Sequence, residues 1–185
     1  SKPFSVFREN DKKIYIPRFY GIERYGLPKK FDISCGDSIS LEFPKTLRDY
    51  QTNIVNVYMK YVDRPICKSE DAFPGYGGIL EVPCGRGKTV MALKIISLLQ
   101  KKTLIIVHKE FLMNQWIERI EEFLPGARVG KIQGPIFDVE NKDIVIGMLQ
   151  TLYDKDLPLD SFCTFGMTIV DEVHRIGSEQ FSKTL

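Results

Sequence analysis

Apolar positions along the chain follow two rhythms that take turns. Residues 79–82, 104–107, 144–146 and 167–170 are short, β-rich apolar runs of the kind that form buried strands. Between them apolar residues recur at three and four. Val90, Met91, Leu93, Ile95, Ile96, Leu98 and Leu99 mark a strongly apolar helix from Lys88 on. Phe111, Leu112, Trp116, Ile117, Ile120, Phe123 and Leu124 mark another over 109–124, which Pro125-Gly126 ends. Strands alternating with helix-length crossovers predict an α/β fold built on a parallel sheet.

Upstream the pattern changes. Residues 38–43 alternate polar and apolar, as a half-buried strand does. A helix is expected after Pro44, with Thr46 as its cap and Leu47, Tyr50, Ile54, Val57, Tyr58 and Tyr61 on one face. That register sets Gln51 beside the buried stripe rather than in it. Residues 63–77 carry Pro65, Pro74, Gly75 and Gly77 and predict a surface loop. The chain therefore divides into an N-terminal accessory arm, 1–45, and one α/β domain, 46–185.

Composition adds bounds. A chain of 185 residues can bury one full core and carry an arm. The net charge is only +2, so any affinity for a polyanion would come from a local track rather than a global field. The basic excess lies in the arm, where Phe4, Phe7, Tyr15, Phe19, Tyr20, Tyr25 and Phe31 interleave with it. Two readings stay open there: a strand layer that packs its aromatics, or rings that stack on bases. Cys35, Cys67, Cys84 and Cys163 have no C-x-x-C spacing, which suggests neither zinc nor an organised disulfide framework and fits a reducing compartment. No apolar stretch nears the roughly 20 residues that span a bilayer, so a soluble protein without a membrane partner is expected.

The chemistry gathers behind two of the runs. After 79–82 comes Pro83-Cys84-Gly85-Arg86-Gly87-Lys88-Thr89. Glycines at 85 and 87 let the backbone turn tightly and aim N–H groups at phosphate oxygens, and the helix that follows directs its positive end at the same anion. Lys88 would neutralise β- and γ-phosphates, and the Thr89 hydroxyl would be a magnesium ligand. The strict phosphate-loop pattern fails at its first glycine, where Val82 stands. After 167–170 come Asp171 and Glu172, delivered to the carboxyl end of a strand, where open α/β sheets bind ligands. Asp171 would hold magnesium, and Glu172 would polarise the attacking water. The two motifs together point to ATP hydrolysis.

With these motifs the chain resembles the superfamily 2 helicases and translocases, whose second motif reads Asp-Glu-x-His or Asp-Glu-Ala-Asp. Leu47-Arg48-Asp49-Tyr50-Gln51 looks like the upstream element whose glutamine contacts adenine in relatives. The resemblance thus implicates Arg48, Tyr50 and Gln51 in nucleotide binding. Residues 104–109 with Gln115-Trp116, and 146–152, are similar to motifs that touch the sugar-phosphate backbone, which implicates His108, Lys109, Gln115, Gln150 and Thr151. His174 is either an ordinary loop histidine or, as in relatives, a relay between the ATP cleft and those motifs. Within the superfamily, Asp-Glu-Val-His-Arg-Ile-Gly resembles the branch of the TFIIH helicase subunit, phage annealing helicases and poxvirus-type transcript-release helicases. The opening Tyr15-Ile16-Pro17-Arg18-Phe19-Tyr20-Gly21 looks most like the large-DNA-virus members.

The resemblance implies a RecA-like first helicase lobe using ATP and Mg2+ on nucleic acid, DNA rather than RNA because the Asp-Glu-Ala-Asp form is avoided. It implies viral transcription, replication or repair, and a nuclear or cytoplasmic setting, including host cytoplasm or virion. The Ser-Ala-Thr strand and the second RecA-like lobe of relatives have no counterpart in these residues, so a piece of a longer helicase is expected. Two other classes remain open: a nucleotide-dependent nucleic-acid binding module that does not unwind, and a phosphate-loop ATPase with no polynucleotide partner.

Overall fold

The structure is a computed structural model that describes residues 7–26, 28–30, 33–62, 76–154 and 156–172. The arm opens with a hairpin of β1 (Arg8–Asn10) and β2 (Lys13–Tyr15), antiparallel to one another. Asn10 Oδ1 closes its turn, accepting the N–H groups of Lys12 and Lys13 at 3.0 and 2.8 Å. Helix α1 (Arg18–Tyr25) follows. Among the described rings of the arm, Phe7, Tyr15, Tyr20 and Tyr25 are exposed, which goes against a strand layer that packs them. A two-stranded hairpin and a two-turn helix offer too little apolar surface to cover these rings.

Residues 38–43 correct a second expectation. The alternation is real, with Leu41 buried and Ser40 and Glu42 exposed, yet only Ser38 bridges, to Lys101. The Gln100 side chain replaces a neighbouring strand: its Oε1 accepts from Leu41 N at 2.9 Å and its Nε2 donates to Leu41 O at 2.8 Å. Helix α2 (Asp49–Val62) then buries Gln51, Val55 and Val62. The expected face is rotated, for Val57 and Tyr61 are exposed.

Helix α3 (Lys88–Leu99) leads through Gln100 into β3 (Thr103–Val107), a strand buried at every residue. Then come α4 (Glu110–Phe123), β4 (Val129–Gln133), β5 (Ile136–Phe137), β6 (Ile144–Met148), α5 (Leu149–Asp154), α6 (Leu159–Phe162) and β7 (Met167–Val170). The sheet order is β5-β4-β6-β3-β7; the last four are mutually parallel and β5 alone is antiparallel. Alternate residues of β3 feed opposite faces. Ile105 and Val107 join Leu93 and Ile96 of α3 and Met113, Trp116 and Ile120 of α4, whereas Leu104 and Ile106 pack with Ile132 and Val145 toward α5 and α6. The result is a three-layer α/β/α lobe.

Residues 79–82, expected as a buried strand, are irregular, with Ile79 76% exposed. Leu80 and Val82 pack instead against Val55 of α2 and Met91 and Ile95 of α3. Apolar character anchors the segment, but none of the described strands pairs with it. Cys35 is disulfide-bonded, whereas Cys84 and Cys163 are free thiols. Among the described residues no helix is long and apolar enough to cross a membrane. Residues 63–75 of the loop expected over 63–77, and His174, lie outside the described residues.

Candidate active site

The phosphate loop takes its shape from left-handed residues. Gly85 has φ 76° and Gly87 φ 82°, and Gly87 caps α3. A β-carbon at 87 would stand 2.4 Å from Gln51 Nε2, so this position excludes a side chain on two counts. Gln51 is buried and its amide is engaged at both ends. Oε1 accepts from Arg48 N at 3.0 Å, and Nε2 donates to the Arg86 carbonyl at 3.1 Å. The Tyr50 hydroxyl donates to that same carbonyl at 3.0 Å, with the Arg86 guanidinium 5.8 Å from its ring. The upstream helix therefore grips the loop backbone, which corrects the expectation that Gln51 lies beside the buried stripe. Pro83, Cys84 and Arg86 are exposed at the mouth of the loop, while Lys88 and Thr89 are half-buried in the first turn of α3.

Helix α3 passes directly into β3 and packs along it, so its N-terminus stands at the carboxyl end of that strand. Strand β7 runs parallel to β3, Ile106 facing Val170, and therefore ends at the same edge. Asp171 extends the ladder by one bond, from its N–H to Ile106 O at 3.1 Å. Its carboxylate is held on both oxygens. Oδ1 accepts from Glu172 N at 2.9 Å, and Oδ2 accepts from Trp116 Nε1 at 2.9 Å. The chain turns sharply at Glu172, a half-buried residue with φ 58°, a conformation that costs a non-glycine residue about 1–2 kcal/mol.

Asp171 fits the expected metal. Each oxygen keeps lone-pair capacity beyond its one N–H, and no group of three or more His, Cys, Asp or Glu converges among the described residues. That donor set suits a cation that takes one or two protein oxygens together with phosphate and water, as magnesium does, rather than an all-protein cage.

The residues expected on the polynucleotide side are less uniform. Lys109 and Gln115 are exposed around the start of α4, with Lys109 Nζ 5.8 Å above the Phe111 ring, and His108 is half-buried at the end of β3. Gln150 is exposed and donates to the Asp154 carboxylate. Thr151 is buried, and its hydroxyl accepts from Gly134 N at 3.0 Å, which ties it to the turn between β4 and β5.

Sequence reasoning did not assign Trp116 to the site. Its helical spacing reads as core, and it is indeed 4% exposed. Only the direction of its N–H reveals the second role; the signal available beforehand was that a buried indole needs an acceptor.

Residues 44–185 match the family described as "Type III restriction enzyme, res subunit". A protein of Acanthamoeba polyphaga mimivirus, whose name proposes an ATP-dependent RNA helicase, is 34% identical over 97% of this chain and 33% of its own length. A DNA 3'-5' translocase of the XPB type from Sulfurisphaera tokodaii is 31% identical over 89% of this chain and 34% of its own length. An African swine fever virus protein, also named for an ATP-dependent RNA helicase, is 31% identical over 77% of this chain and 26% of its own length. The chain thus spans about a third or less of the curated relatives it matches. With a phosphate loop and an Asp-Glu turn at one edge of a RecA-like sheet, it belongs to the type III restriction enzyme res-subunit family, in the superfamily 2 helicase branch of the XPB and large-DNA-virus proteins.

Proposed function

We propose that this chain is the first ATP-binding lobe of an ATP-driven superfamily 2 helicase or translocase that works on DNA. The observation that carries the reading is the common edge: the N-terminus of α3, with Lys88 and Thr89, and the turn after β7, with Asp171 and Glu172, open at the carboxyl ends of adjacent layers. Backbone N–H groups of the loop and the Lys88 ammonium bind the phosphates of ATP. Thr89 and Asp171 would hold Mg2+, which supplies charge neutralisation on the phosphoryl oxygens. Glu172 orients the attacking water and takes its proton. Tyr50 and Gln51 keep the loop in register through the Arg86 carbonyl, the adenine contact of Gln51 being the further step this reading predicts.

Lys109, Gln115 and Gln150 are the exposed side chains for a sugar-phosphate track, with His108 at its inner margin. A second RecA-like lobe in the same protein completes the cleft. The names of the relatives divide, the viral ones specifying RNA and the archaeal one DNA. The test is ATP turnover by the whole gene product, alone and with single-stranded DNA, duplex DNA or RNA. Stimulation greatest with DNA supports the proposal, and greatest with RNA moves the substrate to that of the viral names. Turnover indifferent to polynucleotide, or nucleotide binding without turnover, overturns the motor.

A further inference from the structure

We infer that Trp116 is a positioning residue for the metal-holding carboxylate, its indole N–H fixing the rotation of the Asp171 side chain. The inference rests on the reading of Asp171 as the magnesium residue. Three contacts define the carboxylate. Its backbone N–H is tied to Ile106 O at 3.1 Å, Oδ1 is turned onto Glu172 N at 2.9 Å, and Oδ2 meets Trp116 Nε1 at 2.9 Å. The first fixes the α-carbon, and the second belongs to the same turn and moves with it. Among the described residues only the indole reaches the carboxylate from a different element, 55 positions away in sequence.

The donor itself is immobile. Trp116 is 4% exposed and packed among Leu93 and Ile96 of α3, Val107 of β3 and Met113 and Ile120 of α4. A planar donor locked in a close-packed layer chooses one orientation of a carboxylate that otherwise rotates about its terminal bond. Partners of this kind behind a metal ligand commonly contribute tenfold or more in metal affinity. Phenylalanine keeps an aromatic ring there, three ring atoms smaller, and without the N–H it leaves that orientation unset.

The experiment uses the whole gene product, with any tryptophan outside these 185 residues replaced by phenylalanine so that Trp116 is the one emitter. Indole emission follows the field across the ring, so it reports on a dication arriving at the carboxylate it touches. In the parent protein, titration with Mg2+–ADP is expected to change the emission, and Asp171→Asn is expected to abolish that change. In Trp116→Phe the Mg2+ needed for half-maximal ATP turnover is expected to rise about tenfold, with KM for ATP at saturating Mg2+ little altered and the far-ultraviolet circular dichroism unchanged. A general loss of packing would lower stability and kcat together without that selective shift. If the parent responds to Mg2+–ADP but Trp116→Phe keeps the same Mg2+ midpoint, the positioning role is overturned and the ATP site stands. If the parent neither turns over ATP nor responds, the site reading falls and this inference with it.

Discussion

Gly87→Ala puts the grip of α2 on the phosphate loop to a quantitative test. Two costs are separable in the structure. An alanine held at φ 82° carries about 1–2 kcal/mol of left-handed strain. Its β-carbon would also fall 2.4 Å from Gln51 Nε2, and that amide can move only by leaving the Arg86 carbonyl and the Arg48 N–H. Two hydrogen bonds at about 0.5–1.5 kcal/mol each bring the sum to about 2–5 kcal/mol. For a chain of this size that is a fall in Tm of roughly 4–20 °C. In a Gln51→Ala background the clashing atom and both bonds are already gone, so the same substitution should cost only the strain. A double-mutant cycle read by thermal melts should thus give a coupling of about 1–3 kcal/mol. Equal costs in the two backgrounds would refute the claim that Gln51 is what Gly87 makes room for.

Four further outcomes follow from the site and its support. Lys88→Ala should weaken ATP binding itself, measured by titration with a fluorescent ATP analogue. Glu172→Gln should spare that binding and lower turnover by about 10²–10⁴, the usual range for a lost base; near-normal hydrolysis would remove Glu172 from the role. ATP should protect the exposed thiol of Cys84, at the mouth of the loop, from alkylation, and equal labelling by mass spectrometry with and without ATP would contradict the placement. Arg128 grips Asp143 through Nε at 3.0 Å and Nη2 at 2.6 Å, and that hydrogen bonding, ahead of the opposing burial, holds the Asp143 carboxyl below its usual range. A depressed folded value means the contribution is complete above the unfolded aspartate value of about 3.9 and is lost as pH falls through the folded one. Melts down the acid limb should therefore steepen in the parent and flatten in Asp143→Asn.

The strands and helices that carry the chemistry could be read from the chain because each obeys a local rule. Helix α3 and strands β3 and β6 are continuous apolar segments whose burial on two sides leaves no choice of face, and β7 is a short β-rich run that is only partly buried. Strand β4 escaped because Gly130 and Lys131 dilute its pattern, and its place depends on β6 beside it. Residues 79–82 and 38–43 failed in the opposite way. Their patterns are strand-like, but a strand is defined by its neighbour, and here one segment pairs with no described strand while a glutamine side chain substitutes for the other's. The rotation of α2 was hidden for a related reason: a buried glutamine is disfavoured until its amide has partners, and its acceptor lies in a loop 35 residues on.

Gln51 and Trp116 share one construction, and it bears on how the lobe would work. Each is a polar tip on a buried side chain, carried by a helix beside α3, and each ends on one half of the site: Gln51 on the loop carbonyl of Arg86, Trp116 on the carboxylate of Asp171. Neither half is therefore positioned by its own stretch of chain alone. Helix α4 begins just past His108 and Lys109 and carries Gln115 next to Trp116, so the element proposed to meet the polynucleotide is the element whose indole donates to the Asp171 carboxylate. Close packing leaves little room for α4 to shift without carrying the indole along. A polynucleotide that displaces the start of this helix would thus alter the Asp171 carboxylate directly, and loss of nucleic-acid stimulation in Trp116→Phe, with basal turnover less affected, is the outcome that this physical link predicts.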